Sequence, residues 1–204
     1  MKVSNVKYYT DQDFADYLKM PGTSFSSLKD EVITPTAGMQ LGTRVHNYLN
    51  EPDKYDWQQP EMVLPIAKVL RTYIGEAFEY LEKEVAFTAD FTHNGMVLHY
   101  KGRADMLKVG RLIIDIKVLA GGVAPAIDRF GYDKQISGYC YGTGAPLGLI
   151  IAYNKLSKKV EVKAIKPNAE FWEYQIVSRG EPITIHTAVS NYNLTAGTSG
   201  YNSI

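Results

Sequence analysis

The sequence predicts an α/β fold in which a central mixed β-sheet is flanked by helices. Residues 61–83 have the apolar spacing of a long amphipathic helix. After residue 83 the pattern changes to the alternation typical of strands, with a strong hairpin turn at Asn94-Gly95. The predicted order is helices, three strands, a helix, two strands and a helix, and this order favours a mixed sheet.

Length and composition indicate one globular domain over 1–204. The chain is 45% hydrophobic and 22% charged, which is ordinary for a globular protein and sufficient to bury a core. We expect an N-terminal helical segment over 1–35, a core over 36–178 and a C-terminal helix or tail over 179–204. Residues 182–204 contain no Asp, Glu, Lys or Arg.

Composition also excludes several classes of function. No apolar run is long enough for a membrane span, and the first residues lack the apolar centre of a secretory signal, so we expect a cytoplasmic protein without a membrane partner. The single cysteine, Cys140, excludes a disulfide framework and a thiolate-bound metal cluster. Because 22 basic residues balance 22 acidic ones, any nucleic-acid-binding surface must be local.

The N-terminal half is predicted to be helical. Pro21-Gly22 ends the first helix, and Pro65 is tolerated because it falls near a first helical turn. The predicted helices span residues 13–18, 24–32, 36–50 and 61–83.

The second half alternates strands and helices. The turns lie at Asn94-Gly95, at 108–110 and at 154–158. Residues 119–130 are predicted to be a loop with room for one helical turn. The predicted strands are 84–91, 96–107, 111–118, 147–153 and 159–165, and the later helices are 133–142 and 170–178.

Two charges stand inside the apolar run 112–118, and they raise the question of what compensates them. Burying a charge costs several kcal/mol unless it is paired or faces a site. Asp115 and Lys117 point to the same face because side chains alternate along a strand. They form a self-neutralising pair, or they belong to a functional site.

The predicted turns bring further acids toward this pair. A two-residue turn places Glu84 directly across from Asp105. A turn over 108–110, with Gly110 left-handed, pairs Leu107 with Arg111, so that Asp105 faces Ile113 and lies diagonal to Asp115. We therefore expect Glu84, Asp105, Asp115 and Lys117 to converge on one face.

Three acids and one lysine leave an excess of negative charge, which a divalent cation would neutralise. Hard oxygen ligands favour Mg²⁺ or Mn²⁺ over zinc. The alternative is structural: Asp115 and Lys117 lie near a strand end and meet solvent, and Asp105 pairs with Arg103 or Lys101.

The order of several short motifs resembles one nuclease superfamily. Gly102–Asp105 followed by Ile114–Lys117 is similar to the PD-(D/E)XK signature, with Asp as the second acid. Gln135 and Tyr139 resemble the Q-x-x-x-Y motif of its RecB-like branch, and Gly42–His46 resembles the G-x-x-x-H helix of that branch. From Ser24 to about Ser178 the chain looks most like the RecE-type exonucleases of phages and prophages. Those sequences commonly carry Thr after the lysine, where this chain has Val118.

This resemblance implies a restriction-endonuclease-like core and a role for each motif residue. The implied metal ligands are His46, Asp105, Asp115 and the Ile116 carbonyl. Glu84, or alternatively Glu82, would bind a second metal or the water, and Lys117 would orient or deprotonate that water. Gln135 and Tyr139 would frame the site. The basic residues flanking the motifs would contact phosphates: Arg44, Lys101, Arg103, Arg129 and Lys134.

The implied activity is a metal-dependent deoxyribonuclease that uses Mg²⁺ or Mn²⁺. RecE-type relatives digest the 5′-ended strand of duplex ends, form rings and work with a single-strand annealing protein, in phage-type recombination inside a bacterial host cell. No phosphate-binding P-loop motif is present, so no built-in ATP motor is expected. Two alternatives stay open, a structure-specific endonuclease and a nuclease-fold protein that binds DNA or a partner without cutting.

Overall fold

The computed structural model describes residues 1–10, 13–29, 36–55 and 61–183. The strands are β1 (Lys2–Tyr9), β2 (Glu82–His93), β3 (Met96–Lys108), β4 (Leu112–Leu119), β5 (Gly148–Asn154), β6 (Lys159–Ile165) and β7 (Glu181–Pro182). The helices are α1 (Phe14–Lys19), α2 (Ala37–Asn50), α3 (Pro52–Tyr55), α4 (Val63–Ile74), α5 (Ala77–Tyr80), α6 (Val123–Phe130), α7 (Tyr132–Thr143) and α8 (Ala169–Arg179), and a 3₁₀ turn spans Ser26–Leu28. The C-terminal part of the predicted helix 24–32 and most of the predicted tail lie outside the described residues.

The seven strands form one mixed sheet in the order β1-β2-β3-β4-β5-β6, and β7 pairs with one end of β3. The β4–β5 pair is parallel and the other pairs are antiparallel. The α6–α7 connection joins β4 to β5, as parallel strands require. The predicted α/β fold with a mixed sheet flanked by helices is therefore confirmed. In the described part of the chain, no helix is both long and apolar enough to cross a bilayer.

Two apolar clusters cover the two faces of the sheet. One contains Ile113 and Leu119 of β4 and packs against α7 and α8, where Trp172 is fully buried. The other contains Ile114 and Ile116 of β4 and packs against α2 and α4. Asp115 and Lys117 alternate along β4 with Ile114 and Ile116, so their side chains lie on the opposite side of the strand, which faces α7.

Three predictions of secondary structure were wrong. The helix predicted over 61–83 ends at Ile74, where Gly75 adopts φ +61°, and β2 already begins at Glu82. β1 was not predicted because this edge strand is mostly polar and exposed. The region predicted as a loop, 119–130, contains the two-turn helix α6.

The register of the β2–β3 hairpin is confirmed, since His93 pairs with Met96 and the flanking pairs set Glu84 opposite Asp105. The predicted β3–β4 register was wrong. Leu107 pairs with Ile113 rather than with Arg111, because the three-residue loop starts one residue later, although Gly110 is left-handed as expected.

The β3 and β4 strands form a short ladder and then separate. Their pairs end at Met106↔Ile114. Beyond that point the backbone of β3 bonds to Thr23, which donates to His99 and accepts from Lys101. Asp105 is the first β3 residue past the ladder, so its side chain stands where the sheet opens.

Candidate active site

A cleft of about 1780 Å³ opens over this fork in the sheet. Its walls come from α1, α2, the residues following β4, α6 and the N-terminal half of α7. Small-molecule pockets typically measure about 300–1,000 Å³, so a volume of this size suits a larger substrate.

Three side chains meet at the base of the cleft. His46 comes from α2, Glu84 from β2 and Asp105 from β3, and each offers a ligand atom within 4.8 Å of the other two. The Nδ1 atom of His46 lies 3.6 Å from Oδ1 of Asp105. The group is partly exposed to the cleft, so an ion can reach it.

The backbone of Ile116 is held between two members of this group. Its N–H donates to Oδ2 of Asp105 at 2.6 Å, and its carbonyl oxygen lies 2.8 Å from Nε2 of His46. A carbonyl only accepts, so Nε2 of His46 is the donor of this bond, and Nδ1 faces Asp105. The Ile116 carbonyl, a ligand implied by the resemblance, is thus adjacent to the group and bonded to His46.

Asp115, which is buried, and Lys117, which is half-buried, form a separate pair beside this group. Lys117 Nζ lies 2.5 Å from Oδ2 of Asp115 and 5.0 Å from the ring centroid of Tyr132. All four residues predicted to converge line the same cleft, but only two of them belong to the group with His46. Glu84 and Asp105 join His46, whereas Asp115 turns to Lys117 on the α7 side.

The pKa values of this pair follow from burial and mutual attraction. Burial raises the pKa of Asp115 to about 6 despite the opposing effect of Lys117. Burial lowers the pKa of Lys117, but the carboxylates of Asp115 and Asp105 outweigh it and leave that pKa above its ordinary value. Lys117 is accordingly a cation at neutral pH in the metal-free protein.

Glu84 occupies an unusual backbone position. Its φ is +52°, in the left-handed region that residues other than glycine seldom adopt. Its Oε1 accepts from Asn50 at 2.7 Å, and its Oε2 lies 3.2 Å from Nε of Arg103. Burial and the negative charge of Asp105 raise the pKa of Glu84.

The two residues predicted to frame the site lie together on α7. Nε2 of Gln135 donates to the hydroxyl of Tyr139 at 2.9 Å, and both line the cleft. Tyr139 is buried and packs its ring edge-to-face on Phe87. Burial raises the pKa of Tyr139, so its hydroxyl keeps its proton.

The predicted phosphate contacts divide into three groups. Arg103 and Arg129 line the cleft. Lys101 lines it too, but its ammonium is committed to the carbonyls of Leu18 and Met20 at the end of α1. The structure does not bring Arg44 or Lys134 to the site: both are exposed outside the cleft, and Lys134 lies over the Phe171 ring.

Sequence reasoning missed several residues that line the cleft, Asn50 and Lys155 among them. Asn50 bonds to Glu84, and its signal was present, since it lies one helical turn after His46. Lys155 reaches the cleft beside Gly38 from the turn after β5. Nothing in the local sequence pattern of this turn indicated that Lys155 would reach the cleft.

The donor set fits a hard divalent cation. Two carboxylates, an imidazole and a nearby backbone carbonyl match the ligands of Mg²⁺ or Mn²⁺ rather than those of a thiolate-bound metal. The buried Oδ2 of Asp115 is held by the Lys117 ammonium, so Asp115 lies beside this donor set rather than in it.

Comparison with solved structures supports the fold. A protein from Eubacterium rectale named as an exonuclease shares it at a TM-score of 0.50 and 15% identity, over 92% of this chain and 85% of that one. An alkaline exonuclease from Laribacter hongkongensis gives 0.37 at 14% identity, over 80% and 81% of the two chains. A phage-related exonuclease from Haemophilus somnus gives 0.37 at 16% identity, over 81% and 85%. The last two scores are too low to support an inference. No family model matches the sequence, and no curated protein does.

Proposed function

We propose that this protein is a metal-dependent deoxyribonuclease, and specifically an exonuclease that hydrolyses phosphodiester bonds from duplex ends. One observation carries the proposal: the His46–Glu84–Asp105 group lies beside the half-buried Lys117 at the base of a large cleft. The fold shared with the Eubacterium rectale protein, named as an exonuclease, supports it.

His46, Glu84 and Asp105 would hold Mg²⁺ or Mn²⁺, with Asp115 and the Ile116 carbonyl adjacent. A bound divalent ion supplies Lewis acidity toward the phosphate and lowers the pKa of water. Lys117, which is protonated, orients the water and offsets charge on the scissile phosphate, and this role fits its pKa better than that of a general base. Water oxygen forms the new bond to phosphorus, the P–O3′ bond breaks, the water proton leaves to solvent, and the departing 3′ oxygen takes up a proton from solvent. The products carry a 5′-phosphate and a 3′-hydroxyl.

The direction proposed is 5′ to 3′, in phage-type recombination or DNA processing. Arg103 and Arg129 contact the DNA backbone from the cleft walls, while Gln135 and Tyr139 frame the scissile position. A ring-shaped homo-oligomer would retain an end by geometry, which suits a chain without net charge. A single-strand annealing protein is the proposed partner.

Digestion of end-labelled linear duplex beside a covalently closed circle, in Mg²⁺ or Mn²⁺, tests this function. We expect the linear DNA to shorten from its 5′ ends and the circle to persist, with no reaction in chelator. Binding should weaken with salt because the contacts are to phosphates. Cutting of the circle at the rate of the linear DNA would instead identify an endonuclease, and binding without cutting would identify a non-catalytic protein.

A further inference from the structure

Glu84 needs an external restraint to present its carboxylate to the metal group. Its positive φ departs from strand geometry between two regular ladder pairs, Lys83↔Met106 and Val85↔Ala104. Backbone outliers of this kind persist when surrounding contacts hold them. The contacts of the Glu84 side chain therefore decide where its oxygens lie.

Two donors hold that carboxylate, and they hold it differently. Asn50 Nδ2 donates to Oε1 at 2.7 Å. Arg103 Nε is 3.2 Å from Oε2 but makes no hydrogen bond of good geometry. Oε1 is thus fixed by a neutral amide, while Oε2 has only a looser ionic neighbour.

The spacing along α2 links Asn50 to His46. The two residues are four apart, so they share one helix face, and both line the cleft. Asn50 is the last residue of α2 and joins that end of the helix to β2 through its bond to Glu84.

We propose that Asn50 is a positioning residue, whose bond to Oε1 holds the Glu84 carboxylate toward His46 and Asp105, where the divalent cation would bind. This inference rests on one part of the proposed function, namely that the His46–Glu84–Asp105 group binds a metal. A neutral donor suits the task, because it orients the carboxylate without adding a positive charge that repels the cation. One helix then supplies both a ligand and the group that orients the next ligand.

Titration calorimetry with Mn²⁺ alone tests this inference without DNA. Asn50→Ala should weaken Mn²⁺ binding by roughly 10- to 100-fold, the usual effect of removing a partner that orients a ligand. Asn47→Ala is the matched control, because it removes the same residue type from the same helix and leaves the bond between Asn50 and Glu84 in place. Its Mn²⁺ affinity should stay at the wild-type value. Thermal melting without metal checks that each variant is folded.

A double-mutant cycle separates positioning from a general structural effect. In a Glu84→Ala background, Asn50→Ala should weaken Mn²⁺ binding by less than about 3-fold further, because its target is gone. A loss as large as in the wild-type background would overturn the inference, as would an unchanged affinity in the single variant. If Asn50→Ala does not fold, Asn50→Leu, which nearly preserves size and lacks a donor, is measured in the same way.

These measurements distinguish a failure of the Asn50 inference from a failure of the proposed nuclease function. Protein that binds Mn²⁺, shows the Asn50 effect and cuts no DNA supports the positioning role and refutes the nuclease. Protein that cuts DNA while Asn50→Ala binds Mn²⁺ normally supports the nuclease and refutes the positioning role. A wild-type protein that does not bind Mn²⁺ refutes the positioning role.

Discussion

The helices α2 and α7 wall the same cleft but contribute to it in different ways. α7 is embedded: most residues from Ile136 to Thr143 are buried, and a Cβ at Gly138 or Gly142 would overlap Trp172 or Phe87. α2 buries only Val45 and Leu49, and a Cβ at Gly42 would meet nothing within 4 Å. The close approach of α7 fixes the buried side of the site, whereas the open face of α2 carries His46 and Asn50 toward Asp105 and Glu84.

The largest expected effect separates chemistry on the α7 side from metal binding on the α2 side. Lys117→Ala should reduce DNA cleavage by about 10²–10³-fold, the range for losing one donor that stabilises developing charge, while Mn²⁺ binding remains. Single-turnover cleavage at saturating Mn²⁺, with calorimetry on the same sample, measures both. Near-normal turnover would assign Lys117 a purely structural role. Melting checks the fold, since Asp115 loses its partner.

The converse variant lies on α2. His46→Ala should weaken Mn²⁺ binding by about 10- to 100-fold or more, because it removes a proposed metal ligand, whereas Lys117→Ala removes only a neighbouring cation. Its control on α7, Tyr139→Phe, loses the hydroxyl that accepts from Gln135 and should keep Mn²⁺ affinity. Calorimetry measures the Mn²⁺ affinity of both variants. Equal losses of affinity in the two variants would contradict the division of roles between the two helices.

Stability should depend on pH through the acids of the site. The pKa of Asp115 is raised to about 6 and that of Glu84 is also raised, so both bind protons more tightly in the folded state. Their contribution is complete below pH 4 and is lost as pH rises through about 6. The raised pKa of Lys117 adds no change in this window, because its loss begins only above its ordinary pKa. Urea unfolding in chelator should show a decrease on the order of 1–3 kcal/mol between pH 4 and 7. An increase in stability over this range would show that burial does not raise the pKa of these two acids.

The smallest effects compare the two helices directly. Gly142→Ala should destabilise the protein by about 1–3 kcal/mol, since its Cβ would press on Phe87. Gly42→Ala should stabilise it by about 0.5–1 kcal/mol, because Ala favours helix and meets open space. Melting temperatures should move in opposite directions by about 2–4 °C per kcal/mol. A destabilised Gly42→Ala variant would show that α2 packs as closely as α7 does.

Local sequence rules predicted the features that depend on nearest neighbours. The two-residue turn at Asn94-Gly95 leaves one register for β2 and β3, and that register is correct. The β3–β4 register was displaced by a one-residue shift of the loop, yet alternation alone placed Asp115 and Lys117 on one side of β4. The α/β order followed from the change of apolar period.

The features that depend on tertiary structure were less predictable. The positive φ of Glu84 and the separation of β3 from β4 beyond Met106↔Ile114 are not predicted by alternation along a strand. Gly121, Gly122 and Pro125 made α6 look like a loop, although Glu161 of β6 accepts the N–H of Val123 in its first turn. Such contacts join residues that are distant in the chain. The spacing of residue types along the sequence therefore does not predict them.

The doubly held backbone of Ile116 gives the molecule a built-in spectroscopic reporter. Its amide proton lies in a short, charge-assisted bond to Asp105, and its carbonyl accepts from His46. In a ¹H–¹⁵N correlation spectrum this amide should resonate at unusually low field. Titration with diamagnetic Mg²⁺ changes both of its partners at once, so the Ile116 cross-peak follows occupancy of the site in solution without any substrate.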